Sequence, residues 1–219
     1  MSIDPKILAA AVQTTALTYS VNDTVYESGA PAQFVYVVKK GALRRVKLLP
    51  GSRRLILQFL FRGDGFGYGL GRLHRDTVQA LTSTELVVAS RKALMSAATS
   101  DARLSKFLFE AAARALNVAE EQTALMRSGI ATERTALFLL EMNARLSTRD
   151  GRVDLPMTRR DISDYLGLTI ETVSRTMNEF HRAKIIQFQG QRQRRFVIRA
   201  KKRLQQLAAD ASDFDRQSH

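Results

Sequence analysis

Eight of the twelve glycines in this 219-residue chain fall between Gly29 and Gly71, whereas Asp101–Met126 contains neither glycine nor proline. Glycine permits tight turns and weakens helix interiors, so this partition fixes where strands and helices can form. In the glycine-rich part, runs suited to strands lie between the turns: Gln33–Lys39, Ala42–Leu49 and Arg53–Phe61, flanked by Leu17–Tyr26 and Thr77–Ala89. Strands of that length at about ten-residue spacing predict an antiparallel β-roll.

The glycine-free stretch is rich in alanine. Leu104, Leu108, Ala111, Ala115, Val118, Gln122 and Leu125 recur at alternating spacings of four and three. That is a helical seam of period about 3.5. Such a helix can pack on its own domain or on a second copy of itself. The narrow, regular seam favours a two-stranded dimer helix, and small side chains at Ala111 and Ala115 allow close approach. Ser128-Gly129 ends the helix. A second helix is expected over Ala131–Leu146, followed by a linker over Ser147–Pro156. The expected α+β fold thus has a β-roll over 1–100, a dimerisation helix over 101–128 and a helical module over 129–219.

Charge selects the partner. The formal net charge is +13, and residues 155–203 carry 12 Lys/Arg against 4 Asp/Glu. A basic surplus gathered in one module favours a polyanion, with nucleic acid before acidic membrane. There is no cysteine, which excludes disulfides, thiolate metal sites and cysteine nucleophiles. No apolar run approaches the ~20 residues of a membrane span. Met1–Gln13 has no basic start before an apolar core, so no export signal is expected and the cytoplasm is the expected compartment.

The basic module contains Met157-Thr-Arg-Arg-Asp-Ile-Ser-Asp-Tyr-Leu-Gly-Leu-Thr-Ile-Glu-Thr-Val-Ser-Arg-Thr-Met-Asn-Glu-Phe180. Thr158 can cap a helix starting at Arg159, with Asp161 closing a box-like cap. Gly167 allows a sharp turn, and Thr169 can cap the next helix. This is the order of a helix–turn–helix. On the second helix Val173, Met177 and Phe180 share one face, and Glu171, Ser174, Arg175, Asn178 and Arg182 share the other. An ordinary surface helix has the same two stripes. The preceding helix, the glycine turn and the local charge favour base recognition. Arginine can take guanine O6 and N7 bidentately, and glutamate can accept from cytosine N4. Further on, Ile186/Phe188 and Phe196/Ile198 alternate around Gly190, predicting a hairpin. Arg192, Arg194 and Arg195 near its tip suit phosphates, although a solubilising loop would look similar.

Thr158–Phe180, with Glu171-Thr-Val-Ser174-Arg175, closely resembles the winged helix–turn–helix of the Crp/Fnr transcription regulators. Glu-x-x-Ser-Arg is the pattern of the Fnr and FixK branch, and Met157–Thr169 is especially FixK-like. The order of roll, long helix and basic module matches the family over nearly the whole chain. In the roll the match rests on Asp64-Gly-Phe-Gly67 and Thr77-Val-Gln-Ala-Leu-Thr82. The resemblance implies a homodimer that binds double-stranded DNA and recruits RNA polymerase, most simply as an activator. It implies base reading by Ile170, Glu171, Ser174 and Arg175 on a TTGAT-N4-ATCAA-type palindrome. It implies backbone contacts from Thr158, Arg159, Thr169, Thr172, Asn178 and Arg182, together with the three wing arginines.

The roll departs from the cyclic-nucleotide binders of that family. They hold the ribose and phosphate with a Gly-Glu pair and an Arg-x-Ala step. Here Phe66-Gly67 is followed by Tyr68, and His74 and Asp76 take the arginine and alanine positions. A carboxylate would then face the phosphate, which argues against cyclic AMP. The cysteine-bound iron–sulfur cluster of the Fnr branch is closed to this chain. His74, His181 and His219 lie in no haem motif. The glycine run Gly63–Gly71 fails the G-x-G-x-x-G spacing, because positions 68, 70 and 72 hold Tyr, Leu and Arg. No cofactor, metal or catalytic residue is expected. The alternative is a regulator of the same fold gated by a ligand or haem in the roll.

Overall fold

The computed structural model describes residues 5–69, 71–127, 130–190 and 193–216. The chain divides into two compact units, 1–120 and 121–219. The first opens with a short helix α1 (Pro5–Ala11) and then runs through eight strands: β1 (Thr14–Tyr19), β2 (Thr24–Tyr26), β3 (Phe34–Lys40), β4 (Ala42–Leu49), β5 (Arg53–Phe61), β6 (Gly65–Phe66), β7 (Thr77–Ala80) and β8 (Thr84–Ser90). They form two antiparallel sheets of four strands, ordered β1-β8-β3-β6 and β2-β7-β4-β5. The expected β-roll is present. β4 and β5 begin and end where the sequence runs do. Leu17–Tyr26 and Thr77–Ala89, read as single runs, are each broken by a turn into two strands.

Side chains alternate across a strand, so a strand buried on one face reads apolar at every second position. In β3, Val35, Tyr36, Val37 and Val38 are all buried. The reason is a double cover. Tyr36 and Val38 join Leu43, Leu60, Val78 and Leu86 between the sheets. Val35 and Val37 face the other way, against Leu8 and the helices α2 (Arg91–Ala98) and α3 (Ala102–Arg127). Gly41 makes the β3–β4 corner at φ 95°, where a Cβ would lie 2.5 Å from Thr84 Oγ1. Only glycine fits both that conformation and that gap.

The long helix forms as expected, but its seam does not all face outward. Leu104 and Ala111 are buried against the roll together with Phe107, and Leu108 packs partly against them. Leu104 and Ala111 are covered within their own unit, so their assignment to a contact between chains is corrected, whereas Leu108 is only half-buried. Over its first turns α3 lies on a sheet face, and the stripe that reads as a coiled-coil seam is the stripe that covers Val35 and Val37. Ala115 is exposed and Val118 half-buried. The side chains of Gln122 and Leu125, and the Ser128-Gly129 stop, lie outside the described residues. On the outward side Phe109 is 75% exposed and Leu116 60%.

The second unit contains α4 (Ala131–Leu146), β9 (Arg152–Asp154), α5 (Arg159–Leu166), α6 (Ile170–Arg182), β10 (Ile186–Gln189), β11 (Arg195–Ile198) and α7 (Lys201–Arg216). α4 spans the range its sequence predicts. The segment expected as a plain linker, Ser147–Pro156, contains β9, which pairs with β11 and makes the hairpin a three-stranded sheet ordered β10-β11-β9. Ala136, Phe138, Leu139 and Met142 of α4 are buried, as are Ile162 and Leu166 of α5, Val173, Met177 and Phe180 of α6, and Leu204 and Ala208 of α7.

Candidate nucleic-acid interface

Local chemistry builds the helix–turn–helix from its caps. Thr158 Oγ1 accepts from the Asp161 backbone N–H at 3.1 Å, and Asp161 Oδ2 accepts from the Thr158 backbone N–H at 2.9 Å. This reciprocal capping box satisfies two N–H groups that the first turn leaves without helical partners. The Thr158 hydroxyl also donates to the Asp161 carboxylate at 2.7 Å. Its proton is therefore engaged within the chain. Gly167 ends α5 in the left-handed region, at φ 64°, and its N–H reaches Ser163 O. Thr169 then caps α6 by accepting from the Thr172 N–H at 3.1 Å, and the two hydroxyls lie 2.9 Å apart.

The α6 face opposite its core carries the expected residues. Val173, Thr176, Met177 and Phe180 are buried, while Ile170, Glu171, Arg175 and Arg182 are exposed and Thr172, Ser174 and Asn178 are half-buried. The mutual ion pair that the four-residue spacing of Glu171 and Arg175 permits is not made: among the described ion pairs none joins them. Among the described residues, neither charged head has an acid–base partner. The side chains of this face are polar or, at Ile170, aliphatic.

The wing is less uniform than its sequence. Arg195 Nε lies 2.8 Å from Asp154 Oδ2 of β9, an ion pair with both side chains more than half exposed. Its charge is already matched within the sheet. Arg194 is exposed. Arg192 lies outside the described residues. Arg159, at the first position of α5, is drawn inward. Its Nη2 donates to the Gln193 carbonyl at 2.9 Å, its Nη1 meets Met177 Sδ, and its guanidinium carbon lies 5.6 Å from the Phe188 ring centroid. Burial, with the Arg194 charge beside it, pushes the guanidinium pKa down to about 10. The group remains charged at neutral pH. Sequence reasoning does not single out Asp154 or the partners of Arg159. The strand that carries Asp154 is too short to be read from its residues, and Met177 and Phe188 read simply as core.

In the roll, Asp76 is 4% exposed. Its carboxylate accepts from Arg45 Nε at 2.9 Å and also pairs with Arg45 Nη2. Tyr26 donates its hydroxyl to Asp76 Oδ1 at 3.2 Å. The His74 ring stacks on Tyr26 with centroids 3.5 Å apart and planes 8° from parallel. Burial, reinforced by Arg91 and Arg45 and opposed by Asp76, holds the imidazole below its usual pKa. His74 and Asp76, which take the positions of a phosphate-binding step in the resembling family, are thus committed to neighbours of their own. Among the described residues no helix is long and apolar enough to cross a membrane.

Comparison with known proteins agrees with both halves. Residues 16–101 match the cyclic nucleotide-binding domain model, and residues 133–207 match the Crp-like helix-turn-helix domain model. The nitrogen fixation regulation protein FixK of Azorhizobium caulinodans is 34% identical over 94% of this chain and 84% of its own. The transcriptional activatory protein AadR of Rhodopseudomonas palustris is 32% identical over 77% of this chain and 72% of its own. The structure of FixK2 from Bradyrhizobium japonicum superposes with a TM-score of 0.85 at 40% identity, over 90% of this chain and 98% of that one. These relatives are regulators rather than enzymes. The chain belongs to the Crp/Fnr family of DNA-binding transcription regulators, on its FixK-like branch.

Proposed function

We propose that this protein is a homodimeric transcription activator that reads a TTGAT-N4-ATCAA-type palindrome and recruits RNA polymerase. The observation that carries the reading is α6: Glu171 and Arg175 stand exposed, with no ion pair described between them, on the face opposite Val173, Met177 and Phe180. Arg175 suits guanine, Glu171 suits cytosine N4, Ser174 serves either base, and the Ile170 methyls suit a thymine methyl. Thr169, Thr172, Asn178, Arg182 and Arg194 suit the backbone, whereas Thr158 is a weaker candidate because its N–H and hydroxyl already donate to Asp161. Arg195 is a weaker candidate because Asp154 already pairs with it.

A dimer would set two such helices about 34 Å apart in successive major grooves. The outward side of α3 supplies its contact. Phe109 and Leu116 are one heptad apart and exposed, with Ala112 and Ala119 exposed between and beyond them. This stripe replaces Leu104 and Ala111 in the dimer assignment and keeps Ala115 and Val118 at its margin. The Asp76–Arg45–Tyr26 contacts engage side chains at the position of the family's phosphate-binding step, which supports control through the amount of protein over control by a cyclic nucleotide. The experiment is selection of bound duplexes from random DNA by the purified chain. A pseudo-palindrome of two TTGAT-like halves supports the proposal, and recovery without sequence preference refutes it.

A further inference from the structure

The first helix of the helix–turn–helix meets α4 along one stripe of side chains. Arg134, Phe138 and Glu141 follow at spacings of four and three, so they share a face of α4. All three reach the last turn of α5. Arg134 Nη1 donates to the Leu166 carbonyl at 3.2 Å. The Phe138 and Tyr165 rings lie 5.9 Å apart, centroid to centroid. The Tyr165 hydroxyl donates to Glu141 Oε2 at 3.2 Å. Phe138 and Tyr165 are buried, and Arg134 and Glu141 are half-buried. Arg134 differs from the other two. It stands near the start of its own helix, which begins at Ala131, and there the helix dipole disfavours a cation. Its gain comes from α5. Leu166 is the last residue of α5, so its carbonyl has no helical N–H to accept from, and the partial negative charge at that end favours a cation. Gly167 follows in the left-handed region, where a Cβ would lie 3.8 Å from Arg134 Nη1. The guanidinium therefore sits against the peptide at which the chain turns from α5 into α6. Only Gly167, Leu168 and Thr169 separate Leu166 from Ile170, the first residue of α6.

We propose that Arg134 is a positioning residue for base reading: it fixes the turn between α5 and α6, and with it the angle at which α6 presents Glu171 and Arg175, without touching DNA itself. This rests on the DNA-binding reading above. The leverage follows from helix geometry. The far end of α6 is anchored in the core by Phe180, whereas Glu171 lies next to the turn. At about 1.5 Å of rise per residue, Glu171 is ~14 Å from Phe180 along the helix. A tilt of about 4° about Phe180 moves Glu171 by ~1 Å, beyond the ~0.5 Å within which a recognising group has to be held. A contact at the turn thus controls base reading from outside the reading face.

The test uses the full-length protein and a duplex obtained by selection, in competition with the same duplex altered at one base of each half-site. The readout is the ratio of the two affinities, because a general loss of folded protein lowers both alike. Arg134→Met keeps an unbranched stem and removes the donors. Its ratio should fall about tenfold, with the dependence of binding on salt unchanged. Arg134→Lys restores one donor and the charge, and should recover most of the ratio. Tyr165→Phe removes another contact of the same stripe, from a side chain only 6% exposed. It should lower the ratio in the same direction, again at unchanged salt slope, and it decides the matter if Arg134→Met does not fold. If Arg134→Met weakens all duplexes equally and flattens the salt slope by about 0.9 per half-site, Arg134 is a phosphate contact and the proposal fails. If Arg134→Lys discriminates as poorly as Arg134→Met, or if Tyr165→Phe keeps the wild-type ratio, the turn does not set the angle of α6 and the proposal is overturned. If the wild type shows no sequence preference at all, the DNA-binding reading has failed, and this proposal fails with it.

Discussion

Truncating Arg175 to alanine isolates base reading from folding. Arg175 is exposed on α6 and joined to no carboxylate among the described ion pairs, so its removal leaves no buried group without a partner. Alanine is also at least as good a helix former. The folding free energy should therefore move by no more than about 0.5 kcal/mol. Binding should respond differently. A bidentate arginine–guanine contact discriminates by about 1–3 kcal/mol. A dimer uses it twice, so the palindrome loses about 2–6 kcal/mol, roughly thirty-fold to twenty-thousand-fold at about 1.4 kcal/mol per decade. The loss should concentrate at the guanine of TTGAT, because only that base offers O6 and N7 together. Arg175→Lys should recover part of the affinity and little of the discrimination, since an ammonium lacks the planar fork. The assay is competition binding at fixed salt, with half-sites altered one base at a time and melting temperature measured in parallel. If Arg175→Ala weakens every competitor equally, the arginine contacts only phosphate and the assigned orientation of α6 is wrong.

Arg195→Ala should leave the salt dependence of DNA binding nearly unchanged, because Asp154 already pairs with this side chain, whereas Arg194→Ala should flatten it; equal slopes for the two variants would contradict the assignment. Phe109→Glu with Leu116→Glu should give a folded monomer by sedimentation with weakened palindrome binding, while Leu104→Ala should cost about 2–5 kcal/mol of stability and leave the dimer intact; the reverse pattern would restore the original seam. His74 is the acid-sensitive group of the roll. Its folded pKa lies below the ordinary histidine value of 6.5, so the unfolded chain binds the extra proton first as pH falls. Its stabilising contribution is complete above about pH 6.5 and disappears as pH drops through the depressed folded value. The wild-type melting temperature should thus fall between about pH 7 and pH 5 more steeply than that of His74→Gln, and parallel curves would refute the assignment.

The parts of this protein governed by short-range rules are legible from sequence. Thr158, Asp161, Gly167 and Thr169 fix the helix–turn–helix because caps and a left-handed turn depend on residues within a few positions of one another. The two α6 stripes follow from helical period alone. The α3 seam shows where that reasoning stops. Period 3.5 says that Leu104 and Ala111 share a stripe, but it cannot say whether a sheet or another helix covers it. The answer depends on Val35 and Val37, which lie far earlier in the chain. The same holds for Arg195. Its local sequence, Arg-Gln-Arg-Arg, reads as a phosphate contact, and only the pairing of β9 with β11 brings Asp154 to it. The motif assigns Arg159 to phosphate, and its partial burial against Phe188 is visible only once the wing has folded over it.

The pairing of β9 with β11 also has a consequence for cooperativity. Asp154 and Arg195 are 41 residues apart, and both α5 and α6 lie in the stretch between them. The strand pair closes a chain loop around the two helices. The entropy cost of that closure is met once, and the helices then order within an already restricted loop. Opening the strands releases the restriction on both helices together. Backbone amides of α6 should therefore exchange with solvent deuterium through the same opening event as those of β11, with one shared free energy, while the ends of the segment fray independently. A lesion in the sheet, far from any base, would be felt along the helix that reads the bases.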